Sequence, residues 1–288
     1  MATIVGALNN QYLEAILGTS GDDDIYPRGG WDVVDGDGGY NVVHVQGNKA
    51  DYKIGFINGV YYIDSISSAS ASIQDTGLKN IQLIQFDDKS VDLTTPINYI
   101  HQPGGSHFYG YGGIGIDTVS YDQNLENYTL SKSGNVFVVT DNIGNGGVDV
   151  LTSIERLYFN NAKVALDLNG NAGDVVKIVG AVFGAAALKD HPEYIGIGLG
   201  YRDAGMSYSN LTSLALNAAN LNNPQAVVSQ LWMNVMHQTA SAADMQPFLQ
   251  LLSNGTSAAE IGVLAANSSQ NLISINFVGL SNSGVIYT

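Results

Sequence analysis

Asp23, Asp32 and Asn41 stand nine residues apart, each two places after a glycine (Gly21, Gly30, Gly39) and two places before a branched aliphatic residue (Ile25, Val34, Val43). They hold the sixth place of three contiguous nine-residue units, 18–26, 27–35 and 36–44, and Asp117 holds the same place in a fourth unit, 112–120. Carboxylate and amide oxygens are the ligands of hard divalent cations such as calcium. The glycines add the backbone freedom that lets a tight turn aim its carbonyl oxygens at the same point.

These four units resemble the nonapeptide of the repeats-in-toxin (RTX, hemolysin-type) calcium-binding proteins. In that pattern nine residues make one turn and one short strand, two nonamers complete a coil, and successive turns fall on opposite edges. The resemblance implies a calcium ion between stacked turns, held by backbone carbonyls and the sixth-place side chains. Carried over, it assigns Asp23 and Asn41 to one ion, with the carbonyls of Gly18, Ser20, Asp37 and Gly39, and makes Asp32 and Asp117 further candidates. Neither Asp32 nor Asp117 has a repeat partner stacked on it, so the Asp32 site needs a ligand from outside the repeats or water. Two departures stand out: Asn41 replaces a carboxylate, and Pro27 replaces the usual first glycine.

The elements that must position these groups follow from the periodicity. Tyr52, Ile54, Tyr61 and Ile63 belong to alternating apolar and polar runs, and so do Tyr128, Leu130, Phe137 and Val139. Laid over each other, the stretches after the nonamers match: Leu78, Ile81, Ile84 and Phe86 answer Leu151, Ile154, Leu157 and Phe159. Asn58-Gly59 and Gly134-Asn135 supply turns between strands, and residues 94–113 read as a linker or a degenerate coil. After Asp167 alanine, leucine and valine recur at helical spacing, predicting helices over 174–190, 208–220, 224–238, 242–253 and 257–267. The expected fold is therefore multidomain, β then α. A β-roll-like, β-rich region in two copies covers 1–95 and 100–168, and an all-α duplicated helical domain covers 172–288. That last part resembles a helical domain of unassigned function that follows RTX repeats in exported bacterial proteins.

Composition narrows the function. With 26 Asp plus Glu against 11 Lys plus Arg the formal net charge is −15, which repels nucleic acid and anionic membranes and attracts divalent cations. No cysteine is present, so disulfides and thiolate metal sites are excluded. A 45% hydrophobic and 13% charged chain has the apolar content for folded domains. The amino-terminal residues lack the basic flank and apolar core of a cleaved signal peptide. The RTX resemblance implies type I secretion through an uncleaved signal at the carboxyl end.

Other chemistry finds little footing. Asp167, Asn169, Asn171 and Asp174 are spaced like the start of an EF-hand loop, but its glycine and terminal glutamate are missing, and a helix entry capped by Asn171 or Asp174 is the preferred reading. There is no nucleophile elbow, zinc helix or phosphate loop. The expectation is a secreted calcium-binding protein without enzymatic activity, acting at the cell surface or in the extracellular matrix in adhesion, assembly or polymer contact, with calcium driving folding after export. Besides calcium, its partners would be surface polysaccharide or another surface protein, and it could self-assemble. Two alternatives stay open: a secreted enzyme with its active site in the helical half or the His101 to His107 loop, and a membrane-active RTX-like protein. The helices lack the basic amphipathic face that membrane contact calls for.

Overall fold

The computed structural model describes residues 1–7, 13–57, 60–66, 76–100, 109–143 and 147–288. They form a β-rich amino-terminal half and a helical carboxyl-terminal half. By packing, the chain divides into one unit of residues 1–122 and 126–155 and another of 123–125 and 156–288.

The first unit begins with short strands separated by glycine-bearing turns: β1 (Ala2–Val5), β2 (Glu14–Leu17), β3 (Asp23–Tyr26), β4 (Asp32–Asp35) and β5 (Val42–His44). There follow β6 (Tyr52–Ile57), β7 (Val60–Ser65), β8 (Thr76–Lys79), β9 (Leu83–Gln85) and β10 (Ser90–Asp92), of which β6 and β7 are the longest. From β1 to β5 successive strands alternate between two sheets. One runs β1-β3-β5-β9-β10 and the other β2-β4-β8-β7-β6. Pairing is parallel through β1, β3, β5 and β9 and through β2, β4 and β8, then antiparallel where β10, β7 and β6 join. Alternation along each short strand turns the eighth-place aliphatics inward, and Ile25, Val34 and Val43 are fully buried with Ile63, Leu78, Ile84 and Phe86. Burial of each such side chain is worth about 1.5–3 kcal/mol, so these three positions anchor the stack.

A second group of strands belongs to the same unit: β11 (Asn98–Ile100), β12 (Tyr109–Tyr111), β13 (Thr118–Ser120), β14 (Tyr128–Ser133), β15 (Val136–Asp141) and β16 (Val148–Thr152). β11 pairs parallel with β13 and β12 parallel with β16, while β14, β15 and β16 form an antiparallel meander. The described parts of 94–113 thus contribute two strands, β11 and β12. Gly134, at φ +60°, forms the turn between β14 and β15. The Asn58-Gly59 turn lies outside the described residues.

The second unit opens with β17 (Arg156–Tyr158) and β18 (Lys163–Ala165), which pair with each other, and β18 also pairs with β19 (Val285–Tyr287). Ala165, Leu168, Val285 and Tyr287 share one core with the helices. The unit boundary therefore falls at 155/156, ahead of the change of texture near 168–172. The helices are α1 (Asn171–Phe183), α2 (Ala187–Asp190), α3 (Pro192–Asp203), α4 (Tyr208–Ala218), α5 (Pro224–Met236), α6 (Ala242–Ser253), α7 (Ala258–Ala266), α8 (Ser269–Ser274) and α9 (Phe277–Ser283). α1 is buried on most of its circumference, including Val175, Val176, Ile178, Val179 and Val182. Side-chain caps start α4 to α8: Ser207, Asn223, Ser241, Ser257 and Ser268 each accept from an amide of the first turn. No helix among the described residues is long and apolar enough to cross a membrane.

Candidate metal centre

Register fixes which turns face each other. Leu17 pairs with Asp35 and Asp35 with Lys79, so Gly18, Gly36 and Asn80 follow one another up the stack. The turns approach so closely that side chains are excluded. A Cβ on Gly18 would collide with the backbone of Gly36, and one on Gly39 with that of Gly21. Gly39 is also left-handed, at φ +82°. The Ser20 carbonyl oxygen lies 2.8 Å from where a Cβ of Gly38 would stand. Asp37, left-handed at φ +57°, is exposed and its amide donates to Asp35 Oδ1 at 3.1 Å. Gly18, Ser20, Asp23, Gly39 and Asn41 are thereby gathered on one edge of the stack, while Asp32 begins a strand of the other sheet and sits on the opposite edge.

Asp23 is fully buried, yet its carboxylate is well supplied with donors. It accepts from the Thr19 amide at 2.6 Å, the Thr19 hydroxyl at 3.0 Å and the Ala2 amide at 3.2 Å. The Thr19 amide is the largest influence, and the net effect holds the carboxyl below the usual range. Asn41, equally buried, accepts from the Asp23 amide through Oδ1 at 3.1 Å. Its Nδ2 donates to the carbonyls of Gly36 (3.0 Å), Gly38 (3.1 Å) and Asn80 (2.9 Å). The next rung is Gln82, whose Oε1 accepts from the Asn41 amide at 2.7 Å.

Asp117 repeats this arrangement elsewhere in the unit. Its carboxylate accepts from the amides of Gly113 and Ile97, and its own amide donates to Glu155 Oε2 at 2.8 Å. Burial nevertheless raises its pKa against those bonds. Gln82 and Glu155 thus do the same work one level above a sixth-place residue. They hold matching places after Ile81 and Ile154, and that match was the signal available for finding them.

Asp32 differs. Only 1% of it is exposed, and neither carboxylate oxygen reaches a hydrogen-bond donor among the described residues. Its neighbours across the ladder explain this. Glu14, paired with Asp32 on one side, sends its amide to the Trp31 carbonyl. The preceding turn begins at Pro27, which has no N–H, and continues through Arg28, Gly29 and Gly30 at φ +66°, +109° and +107°. That turn presents no amide comparable to Thr19 or Gly113. Burial, reinforced by the negative charge of Glu14 and opposed only by the nearby Glu14 amide, pushes the Asp32 carboxyl up to about 6. On the other side, pairing of Val33 with Gly77 brings Thr76 level with Asp32, and the Thr76 hydroxyl lies 3.4 Å from the Gly30 carbonyl. Strand register thus places Glu14, whose Oε2 accepts from the Ala7 amide at 2.9 Å, and Thr76 beside Asp32. No group of three or more histidine, aspartate or glutamate side chains suited to a metal occurs among the described residues.

The remaining acidic candidates in the second unit are tied to cations of the chain itself. Asp167 pairs with Arg156 at 2.5 Å and accepts from the Ala172 amide, so it caps α1 while Gly170 holds the N-cap position. Asp203 takes the other side of the Arg156 guanidinium at 2.8 Å, and Asp174 binds Arg202 at 2.7 Å. Neither Asn171 nor Asp174 caps α1 as expected, because both lie inside the helix and Asp167 supplies the bond to its first turn. His237 is an exposed left-handed cap of α5 whose ring meets Ser274 at 2.8 Å. A cavity of about 320 Å³ beside α1 is walled by Val175, Ile178, Phe183, Tyr194, Leu211 and Leu214. His101 and His107 lie outside the described residues. No family model matches the chain, and no curated protein is similar to it.

Proposed function

We propose that this chain is a calcium-binding protein of the RTX type that is exported whole and acts outside the cell without catalysis, with calcium completing its fold. In this reading the first half is a parallel β-roll whose module occurs twice. The matching bonds of Asn41 with Gln82 and of Asp117 with Glu155 support the repetition.

The observation that carries the proposal is Asp32. A buried carboxylate without donors is costly, several kcal/mol for an ion in a dry site, and a cation relieves that cost. Asp32, with Glu14, Thr76 and the Gly30 carbonyl, would hold the ion. The donors are all oxygen, which suits calcium rather than a transition metal. Calcium would supply the positive charge that the Pro27 turn fails to provide with amides, locking β2, β4 and β8 together. Asp23 and Asp117 satisfy their carboxylates with backbone donors and need the ion less.

The charge of −15 supports a cation-rich extracellular setting and argues against nucleic acid as a partner. Surface polysaccharide or another surface protein is the proposed contact, with self-association as part of the same assembly role. The test is a calorimetric titration of calcium into the parent chain and into Asp32→Asn. The parent should bind and the variant should lose that event; identical isotherms, or no heat from the parent, would refute the assignment.

A further inference from the structure

We infer that Asn41 is a built-in substitute for a metal ion. Its amide nitrogen fills a cage of backbone carbonyls that would otherwise hold a cation, so the Asp23 edge of the stack closes without calcium. The contrast with the opposite edge rests on the reading of Asp32 given above.

Three carbonyl oxygens, from Gly36, Gly38 and Asn80, lie 2.9–3.1 Å from one nitrogen. Gly36 and Gly38 are the first and third residues of their own nonamer, and Asn80 belongs to the next level of the stack. Carbonyl dipoles converging on a point repel one another unless a donor or a cation sits between them. The side chain can be placed in only one way. Oδ1 accepts the Asp23 amide at 3.1 Å, and turning the amide over would set an oxygen against three oxygens and a nitrogen against an N–H. Asn41 itself is fully buried. A neutral amide brings partial positive charge to the carbonyls without burying a full charge. An aspartate in the same place would add a carboxylate to three oxygens and require a cation to hold them together.

The consequence is a division of labour within one coil. The edge carrying β3, β5 and the turn before β9 forms in calcium-poor surroundings, and calcium control is confined to the turn before β4.

The experiment uses the full chain, with calcium stoichiometry by isothermal titration calorimetry and thermal unfolding with and without chelator. Asn41→Asp should bind one calcium more than the parent, melt well below it in chelator, and recover most of the difference in millimolar calcium. Asn41→Ala should bind the parent's number of ions and be destabilised equally in both conditions. No extra ion in Asn41→Asp, or failure of that variant to fold even in calcium, would overturn the inference. So would an Asn41→Ala variant that loses an ion the parent binds, because Asn41 would then be a ligand. Asp32→Asn titrated alongside keeps the two ideas apart: unchanged calcium binding there sinks the proposed function, while the gain in Asn41→Asp stands or falls by itself.

Discussion

Lowering the pH in the absence of calcium should stabilise this protein through one residue. Asp32 has its carboxyl raised from the ordinary 3.8 to about 6 by burial, helped by the charge of Glu14. The folded state therefore binds that proton more tightly than the unfolded chain. Above pH 6 both states carry the charge and the fold bears the full penalty; below about 3.8 both are protonated and the penalty is gone. At about 1.4 kcal/mol per pH unit, the gap corresponds to about 3 kcal/mol in full, of which about 2 kcal/mol is gained as the pH falls from 7 to 4. Other carboxylates run the opposite way. Asp23 is held down by the Thr19 amide, Asp244 by the Ser241 hydroxyl and Glu260 by the Ser257 amide, so their stabilisation is lost as acid protonates them. The comparison must be a difference: urea unfolding of the parent and of Asp32→Asn in chelator at pH 4, 5, 6 and 7. Parent stability relative to the variant should fall by about 2 kcal/mol from pH 4 to pH 7, and calcium at pH 7 should close most of that gap. A difference that stays flat across the range would mean that Asp32 is adequately hydrogen-bonded and that the case for a cation there fails.

Gly39→Ala should cost the β-rich unit at least about 2 kcal/mol, since a left-handed backbone alone disfavours a side chain by about 1–2 kcal/mol and the new Cβ would also meet the Gly21 backbone. Gly134→Ala, left-handed at φ +60° with open space around it, should cost only the backbone part, and equal losses in denaturant titration would dismiss close stacking of the turns. Arg156→Ala should destabilise the helical unit by about 3–5 kcal/mol, because it strands Asp167 and Asp203 beside a buried vacancy; a loss under 1 kcal/mol by helical circular dichroism would show that both carboxylates find water. Asp174→Ala removes a partly exposed pair with Arg202, so it should cost about 1 kcal/mol or less and leave the calcium isotherm unchanged.

The stack itself was legible because every ninth residue has a reason to be what it is. The eighth-place aliphatics Ile25, Val34 and Val43 fill the interior, and Gly18 and Gly39 sit where backbones touch. Helix starts were legible where a serine or asparagine side chain caps them. α3 was not, because Gly196, Gly198 and Gly200 weaken its helical signal. Two of those glycines serve packing: a Cβ on Gly198 would stand 2.7 Å from Val175, and one on Gly196 would strike the carboxyl-terminal Thr288. The independence of that glycine pattern from helix propensity is why periodicity alone could not find the helix.

The candidate site was half legible for a related reason. Spacing names the sixth-place residues but does not say which donors reach them. Asp23 and Asp32 are equivalent by pattern, and they differ because one turn offers the Thr19 amide and the other begins with Pro27 and runs through three positive φ angles. Glu14, eighteen residues before Asp32 and outside any repeat, becomes its neighbour only through strand register. Asn41 carries the sharpest lesson. Read as a formula, asparagine in place of aspartate is a weaker calcium ligand, since it offers one oxygen and no charge. In the fold it is the other end of the amide that faces the carbonyls, and a residue that lowers metal affinity by charge removes the need for metal by geometry.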